Sequence, residues 1–334
     1  MAAAGLLPTL GGSAWHRRWP EHRQHSLQAG LDASWELDLF GANRAGLATS
    51  QATLQATAAS LGDAQVSVAA EVVLAYITLR SAQTRIQIAR SNLASQQETA
   101  QITDWRRQAG LVTSLEAEQA RAAAEQTAAG LPPLATLAAQ TQHALAVLTG
   151  QPPAALQTVL AATSPVPRAA DGPALAIPAE TLRQRADVRL AEWQVSAAAS
   201  RVNQADAARL PNFKLGGSLG LGAATLGGLG NSAALIGSLL ASVSAPLFDA
   251  GAGRAQVLAQ QAALDQQISA YRATVLGALQ EVEDALVALA GDAERQRRLQ
   301  AAADAASTAA LLARQRYSSG LVTFKPCWRP SAPS

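Results

Sequence analysis

Three histidines within ten positions form the densest group of potential metal ligands in the chain. His16, His22 and His25 are separated by arginines and by Pro20. This spacing does not place three imidazoles on one face of a regular helix or strand, as a metal site would need. We interpret the segment as an external loop and predict no metal site.

The acidic residues Glu281, Glu283 and Asp284 are the nearest approach to a paired-carboxylate site. We interpret them as part of a polar helix surface, solvated or facing a tunnel. No nucleophile, base and orienting group occur together, and the glycines of 216–230 lack the Lys-Ser/Thr of a phosphate loop. The sequence predicts neither an enzyme nor a bound cofactor.

The composition favours long helices over a thick globular core. The chain has 334 residues, 49% hydrophobic but only 4% aromatic, and a net charge of +2. Scattered arginines argue against a nucleic-acid groove, and the single Cys327 excludes an intramolecular disulfide. No run of 18 or more apolar residues predicts a transmembrane helix.

The chain contains a tandem duplication. Leu39-Phe40 and the following Arg44 recur as Leu247-Phe248 and Arg254, and from that arginine onward an offset of 210 residues holds. Gly110-Leu111-Val112-Thr113 recurs in this way as Gly320-Leu321-Val322-Thr323. Each copy therefore contains the same kinds of element in the same order.

Each copy begins with a period of two, which predicts amphipathic strands. Four such stretches form two hairpins, with loops near 20–25 and 224–232; the stretches are 6–19, 26–40, 211–223 and 235–247. Strands of 13 to 15 residues exceed the 9–11 that cross a bilayer. Their polar positions carry Ser, Gln, Asp and Gly, which suits a water-filled lumen.

A period of seven follows the second strand of each copy. Leu47, Leu54, Leu61 and Val68 begin this series between Arg44 and Gln108, and it predicts a coiled-coil rod about 100 Å long. Glycines at 110 and 320 end the two rods. The segments between the copies are predicted as helix at 115–130 and 134–149 with a break at 131–133, irregular chain at 151–178, and helix at 178–209.

Four strands cannot close a barrel, and lipid does not tolerate open sheet edges. Oligomers would supply eight strands as a dimer, twelve as a trimer or sixteen as a tetramer. Eight strands leave almost no lumen. Twelve is therefore the smallest number that gives a channel.

Five segments carry a resemblance to a known family. They are Trp35-Glu-Leu-Asp-Leu-Phe-Gly41, Leu182-Arg-Gln-Arg-Ala-Asp-Val-Arg189, Leu210-Pro-Asn-Phe213, Pro246-Leu-Phe-Asp-Ala-Gly251 and Arg316-Tyr-Ser-Ser-Gly320. They resemble signature segments of the outer-membrane efflux protein family, the TolC-like outer-membrane factors. Within it, the lipoprotein branch that serves resistance-nodulation-division (RND) pumps is the most similar.

The resemblance implies an α+β membrane protein in which each protomer gives four strands to a trimeric twelve-stranded barrel. Long coiled-coil helices would form a periplasmic α-barrel with a small equatorial segment. The implied divisions are a first β-hairpin at 5–40, a helix, tip and return helix at 41–149, the equatorial segment at 150–180, a return helix at 181–209, a second β-hairpin at 210–249, a second long helix and tip at 250–324, and an aberrant tail at 325–334.

The function implied is a passive exit duct for drugs or other small toxic compounds, in the outer membrane with a periplasmic extension. Its partners would be two further copies, a periplasmic adaptor, an inner-membrane RND pump and outer-membrane lipid, with no nucleic acid. The tips would contact the adaptor or form a gate; these positions are Gly110, Leu111, Val112, Thr113, Gly320, Leu321, Val322 and Thr323. Val322 and Thr323 stand where the family often has an acidic gate residue.

Aromatic residues near the strand ends predict contacts at the membrane interface. They are Trp15, Trp35, Phe40, Phe213 and Phe248. The family's signal peptide and lipid-bearing cysteine have no counterpart here, and Cys327 lies in the Pro-rich tail. A chain truncated at both ends is therefore expected. The alternatives left open are a periplasmic coiled-coil adaptor or scaffold, and a nonfunctional fragment of an efflux channel.

Overall fold

The structure, a computed structural model, describes residues 2–19, 24–167, 183–223 and 235–319. After a 3-10 turn at Ala2–Leu6, its elements in chain order are β1 Thr9–Trp19, β2 Gln24–Leu37, α1 Ala42–Gln108, α2 Ser114–Ala129, α3 Leu131–Leu148, α4 Gln157–Ala161, α5 Ala186–Ala207, β3 Asn212–Ala223, β4 Leu235–Ser244 and α6 Ala252–Ser318.

The four strands form one antiparallel sheet in the order β1-β2-β3-β4. Both predicted hairpins are confirmed, and β2 pairs with β3 to join them. Two strands end earlier than predicted. β2 stops at Leu37 because Asp38 turns its side chain to the start of α1, and β4 stops at Ser244, two residues before Pro246, which has no amide to donate.

The register keeps like residues in line across the sheet. We call the side formed by these positions the polar face: Thr9, Ser13, Asp32, Ser34, Glu36, Asn212, Lys214, Ser218, Ser238 and Ser242. The other side is the apolar face: Leu10, Leu31, Trp35, Leu37, Phe213, Leu215, Leu219, Leu239 and Val243. Leu239 is 80% exposed and Leu219 is 52% exposed, so the chain alone leaves its apolar face uncovered.

The two long helices predicted from the heptads are confirmed. α1 and α6 each contain 67 residues, about 100 Å at 1.5 Å per residue. α1 ends just before Gly110, which adopts φ +72° as a helix-ending glycine does. Gly320, the equivalent position after α6, lies outside the described residues.

Two boundaries in the middle of the chain differ from prediction. Leu131–Pro133 is not a break but the first turn of α3, because proline lacks only an amide that has no helical partner at a helix start. The helix predicted from 178 begins at Ala186, with Arg185 in extended conformation at its N-cap. Residues 168–182, which include the start of that prediction, lie outside the described part.

Contacts divide the chain into two compact units. The first contains Met1–Asp63 and Ile177–Glu281, and the second contains Ala64–Ala176 and Val282–Ser334. Small residues fill the interior of the first, with Ala52, Ala56 and Ala197 all less than 8% exposed. Across the described residues, 11 of the 16 buried hydrophobic side chains are alanines, side chains small enough to let packed helices approach closely.

The second unit has a core around Leu79, which is fully buried. Ala82, Ala138, Leu145 and Leu160 pack with it. The heptad series that contains Leu79 thus packs within the chain. By contrast, Leu54 and Leu61 of the first series are 65% and 62% exposed.

A buried arginine fixes the segment after α4 to α1. Arg80, 4% exposed, donates from Nη1 to Gln83 Oε1 at 2.8 Å and to the Ala162 carbonyl at 2.5 Å. Gln83 Nε2 donates to the Leu160 carbonyl at 2.9 Å, and the guanidinium lies 4.8 Å from the centre of the Tyr76 ring. These bonds satisfy the carbonyls at the end of the short helix α4.

Part of α1 is long and apolar enough to pass a composition test for a membrane-crossing helix, although none of that stretch is buried. Such a test is weak evidence when a single helix passes it. The alanines of α1 explain the result, because they raise its hydropathy without forming a continuous run of bulky side chains.

We expect Leu79→Ala to lower the free energy of unfolding by about 2–5 kcal/mol, because it leaves a cavity in a fully buried position. Leu74→Ala is the matched control on the same helix, since Leu74 is 64% exposed. Denaturant melts followed by helical circular dichroism measure both. Equal losses in the two variants would contradict this account of the core.

Candidate functional site

The polar face of the sheet is lined mainly by small hydroxyl side chains and glycines. The hydroxyl of Thr9 lies 2.8 Å from that of Ser34, and the hydroxyls of Ser218 and Ser238 are 2.7 Å apart. Side chains this short leave the space above the sheet open, and hydroxyl groups hydrate readily. The face can therefore line a wet passage, as the sequence predicted.

One charged cluster interrupts these small residues. Glu36 is paired in register with Lys214, whose Nζ lies 3.7 Å from Glu36 Oε2. Asn212 donates from Nδ2 to Glu36 Oε1 at 2.7 Å, which joins the two hairpins. The alternation of each strand indicates that its residues of this cluster are polar-face positions, but nothing in the sequence indicates that the three residues meet.

The predicted interface aromatics do not form a single group. Trp35 is 38% exposed and donates from Nε1 to the Leu6 carbonyl at 3.1 Å. Phe40 and Phe213 pack with ring centres 6.4 Å apart, whereas Phe248 is 91% exposed. Trp15 is paired with Gln28 in the sheet, and its side chain lies outside the description.

The first strand-to-helix junction is organised by one carboxylate. Asp38 accepts from the amides of Asn43 and Arg44 at 3.1 and 2.9 Å, and from Arg44 Nε at 3.1 Å. Burial opposes ionisation of Asp38, but these donors outweigh it and hold its pKa below the ordinary value. Gly41 makes the turn with φ +82°. The start of α1 is therefore capped and charge-compensated.

The second junction uses a different position for the same chemistry. Asp249 accepts from the amides of Gly251 and Gly253 at 2.9 and 2.7 Å, and these bonds hold its pKa below the ordinary value. Asp38 precedes its Leu-Phe pair, whereas Asp249 follows the equivalent pair. The duplication thus preserves a carboxylate at the helix start without preserving its place in the sequence.

The tip that follows α1 is a tight helix-to-helix turn. The Leu111 amide donates to the Arg106 carbonyl at 2.8 Å, which closes α1 around Gly110. Thr113 and Glu116 then form a reciprocal capping box at the start of α2. Leu111 and Leu115 are 68% and 67% exposed, so the turn presents apolar side chains to solvent.

The second predicted tip, Gly320 to Thr323, lies outside the described residues.

At the first tip, Asp104 accepts from Arg107 at 2.9 Å and from Gln108 at 2.7 Å. These two donors hold the pKa of Asp104 below its ordinary value. The last turn of α1 is thus bound together by its own side chains.

Glu281 lies on an exposed helix surface, where its side chain is 68% exposed and belongs to an ion-pair cluster. Arg185 donates from Nη2 to Asp187 at 2.8 Å and to Glu281 at 2.7 Å. The bond from Arg185 lowers the pKa of Asp187, and the two carboxylates raise the pKa of Arg185. This cluster joins the start of α5 to α6, on a polar helix surface of the kind predicted for Glu281.

The described part of the chain contains no group of three or more His, Cys, Asp or Glu side chains that could hold a metal ion. His22 lies outside that part, as do the side chains of His16 and His25. The absence of a metal site at these histidines therefore remains a prediction.

Residues 1–151 and 177–324 match the family model described as outer membrane efflux protein. The chain belongs to this family. Its family and relatives place it at the outer membrane, with an extension into the periplasm.

Curated relatives match across most of the chain. Outer membrane protein OprJ of Pseudomonas aeruginosa is 32% identical over 300 residues, which cover 89% of this chain and 62% of OprJ. Pyoverdine export outer membrane protein OpmQ of Pseudomonas putida is 32% identical, covering 91% of this chain and 64% of OpmQ. The chain spans less than two thirds of the length of these relatives.

Solved structures show the same fold. The outer-membrane channel OprN aligns with a TM-score of 0.87 at 34% identity, covering 97% of this chain and 74% of OprN. The MtrE outer membrane channel of Neisseria gonorrhoeae aligns with a TM-score of 0.78 at 29% identity, covering 96% and 73%. The protomer fold predicted from the sequence is thus confirmed.

We expect Gly253→Ala to destabilise the start of α6. A Cβ at this position would lie 2.9 Å from Asp249 Oδ2 and 3.2 Å from Arg209 Cγ, so the cap must open. Gly277→Ala on the same helix meets nothing within 4 Å and should stabilise by about 0.5–1 kcal/mol. Thermal melts compare the variants, and a stabilised Gly253→Ala would contradict the proposed packing.

Asp38→Ala should lower the free energy of unfolding by about 1 kcal/mol at pH 7, because the start of α1 loses its cap. Because the folded-state pKa is depressed, this stabilisation exists above the ordinary value of 3.8 and is lost as pH falls through the lower, folded pKa. The difference from wild type should therefore vanish in melts at decreasing pH. Glu71→Ala, which removes an exposed carboxylate of α1, is the control. A stability difference between Asp38→Ala and wild type that persists at low pH would refute the role of Asp38 as an ionised cap.

Proposed function

We propose that this chain is the outer-membrane channel subunit of a tripartite efflux system, a passive exit duct for drugs or other small toxic compounds. The observation that carries the proposal is the four-stranded sheet, which is open at both edges and has one apolar and one polar face. In lipid, such a sheet is stable only as part of a closed barrel.

Three copies would close a twelve-stranded barrel. The apolar face would contact lipid, and the polar face would line the lumen. The exposed heptad residues Leu54, Leu61 and Val68 of α1 support assembly as well. In the trimer they pack against helices of a neighbouring copy, as heptad residues do in coiled coils.

Transport through this duct needs no covalent chemistry, metal or cofactor from the chain. Small hydroxyl groups and the Glu36–Lys214 ion pair keep the lumen hydrated without holding a cargo tightly. Free energy for export then comes from an inner-membrane RND pump, and the duct supplies a continuous aqueous path. Names such as toluene efflux pump outer membrane protein TtgF and pyoverdine export protein OpmQ support a small-molecule cargo.

The helix tips are proposed to contact a periplasmic adaptor or to form the entrance gate. Leu111 and Leu115 support this role because the turn holds them in solvent. Gly110 and Thr113 shape the turn and Val112 lies within it. The duplicated positions Gly320, Leu321, Val322 and Thr323 are proposed for the same role.

The aromatic residues at the strand ends are proposed to lie at the level of the lipid headgroups. Phe248 and Phe40, 91% and 47% exposed, flank the strand-to-helix junctions, where a barrel strand would leave the hydrocarbon. Trp35 supports this placement through its bond to the Leu6 carbonyl, which gives the indole a polar partner.

Two adjacent residues of β3 test which face meets lipid. Leu219→Arg puts a charge on the apolar face and should reduce stable trimers in outer-membrane fractions, at a cost of about 2–4 kcal/mol per protomer at mid-bilayer. Ser218→Arg is the matched control on the polar face, where Asp32 is its register partner. It should preserve assembly.

The wild-type chain, expressed behind a cleavable secretion leader, should form trimers that conduct ions across planar lipid bilayers. The Ser218→Arg trimers should conduct too, with an altered current. A soluble monomer that never conducts, or equal tolerance of both substitutions, would contradict the proposed function.

A further inference from the structure

The two open edges of the sheet carry large apolar residues at positions of the polar face. On β4, Ile236 precedes the serines of this face and Leu240 lies between two of them; the two side chains are 62% and 67% exposed. Their partners on β3 are Gly220 and Gly216, which have no side chains. Within one protomer, nothing on β3 covers them.

The opposite edge contains a matching irregularity. Thr9 and Ser13 of β1 lie on the polar face. By alternation, Trp15 and Trp19, two and six residues after Ser13, occupy positions of the same face. Two large residues four apart on β4 thus correspond to two large residues four apart on β1. β1 and β4 are the edges that three copies must join.

We propose that β4 pairs with β1 of the next copy in the one antiparallel register that sets Leu240 opposite Trp15 and Ile236 opposite Trp19. This inference rests on the proposed trimer and specifies its seam. The two pairs form an apolar strip on the lumen side of each subunit boundary. Elsewhere the polar face carries hydroxyl groups, glycines and the Glu36–Lys214 cluster.

The same register extends two pairings that already occur inside the sheet. Gly12, Gly217 and Gly237 each lie opposite a leucine, with the added Cβ position 3.6 to 3.7 Å from its side chain. The proposed seam places Gly12 opposite Val243. It also places Ser13 opposite Ser242, as Ser218 lies opposite Ser238 within the protomer at 2.7 Å between hydroxyls.

Barrel geometry agrees with this choice. Residues that lie directly opposite one another across the four strands form a line from β1 to β4: Gly12, Leu31, Leu219 and Gly237. In the proposed register it enters the next copy at Arg18, six residues beyond Gly12. The stagger is thus six residues for each copy, summed over the three copies of a twelve-stranded barrel. With ~3.3 Å rise per residue and ~4.8 Å between strands, this stagger corresponds to a strand tilt of about 46°, near the ~45° of membrane strands.

The neighbouring registers fit less well. Since inward and outward positions alternate, the seam can move only by two residues at a time. One step towards smaller stagger sets Leu240 opposite Ser13 and Trp15 opposite Ser238. This separates both apolar pairs on the lumen side, although its tilt of about 35° is allowed. One step the other way raises the tilt to about 54°, outside the usual range.

Cysteine pairs between copies test the register directly. In a Cys327→Ser background, Ala14→Cys with Ala241→Cys should form a disulfide under mild oxidation, because these positions are directly opposite at the proposed seam. Ala14→Cys with Leu239→Cys reports the smaller stagger, and Ala14→Cys with Val243→Cys the larger. Any bond joins two copies, because β1 and β4 of one protomer are separated by two strands, about 14 Å from edge to edge.

On non-reducing gels of detergent-extracted trimers, the 14/241 pair should cross-link at least tenfold faster than the 14/239 and 14/243 pairs. The Ala14→Cys single variant is the control. Faster cross-linking of 14/239 or 14/243 in intact trimers would overturn the register and leave the proposed function standing. Monomers that cross-link with none of the three pairs would overturn the trimer, and the seam with it.

A second measurement does not depend on cysteine geometry. Trp15→Ala and Leu240→Ala should each lower the temperature at which trimers dissociate, and the double variant should lose less than the sum because the two side chains share one contact. Trp15→Ala with Ile236→Ala serves as the control pair and should be additive. Additive losses for Trp15 and Leu240 would overturn the proposed contact.

Discussion

The unpaired backbone at the two sheet edges is the constraint on which the rest of the structure depends. The outer N–H and C=O groups of β1 and β4 have no partners on the sheet within the described chain, and hydrocarbon cannot supply any. The alternation of the strands, the exposed leucines of β4 and the outward heptads of α1 are all features that the proposed assembly of several copies requires.

The helices pack mainly through small side chains. Alanines fill their interior contacts, so helix axes can approach closely while larger residues remain free for intersubunit packing. Gly46 and Gly62 extend this pattern, with their added Cβ positions 3.2 and 3.5 Å from Gln204 and Ala186. The buried leucines of the described residues all lie in one core around Leu79, where Arg80 fixes the chain that follows the short helix α4.

The sequence predicted those features that a local period determines. Alternation located all four strands, heptads located both long helices, and Gly110 marked the end of α1 through its need for positive φ. Features that depend on distant partners were missed. Arg80 meets a carbonyl 82 residues away and Asn212 meets Glu36 across 176 residues, and no short spacing in the sequence indicates either contact. The prolines at 132 and 133 misled because proline ends one helix and begins another equally well.

The two junction carboxylates show how duplicated halves can diverge while keeping a role. Asp38 and Asp249 occupy different sides of their Leu-Phe pairs, yet both accept amide hydrogen bonds at a helix start. The two helix starts also differ in their surroundings. At the first, a half-buried aspartate pairs with an arginine, and at the second the aspartate accepts from amides of a glycine-rich turn. Aligning the repeats by number would pair Asp249 with a residue that caps nothing. In a duplicated protein, a constant residue offset shows which positions share an origin. Which residues share a role is shown instead by the backbone amides to which they bond.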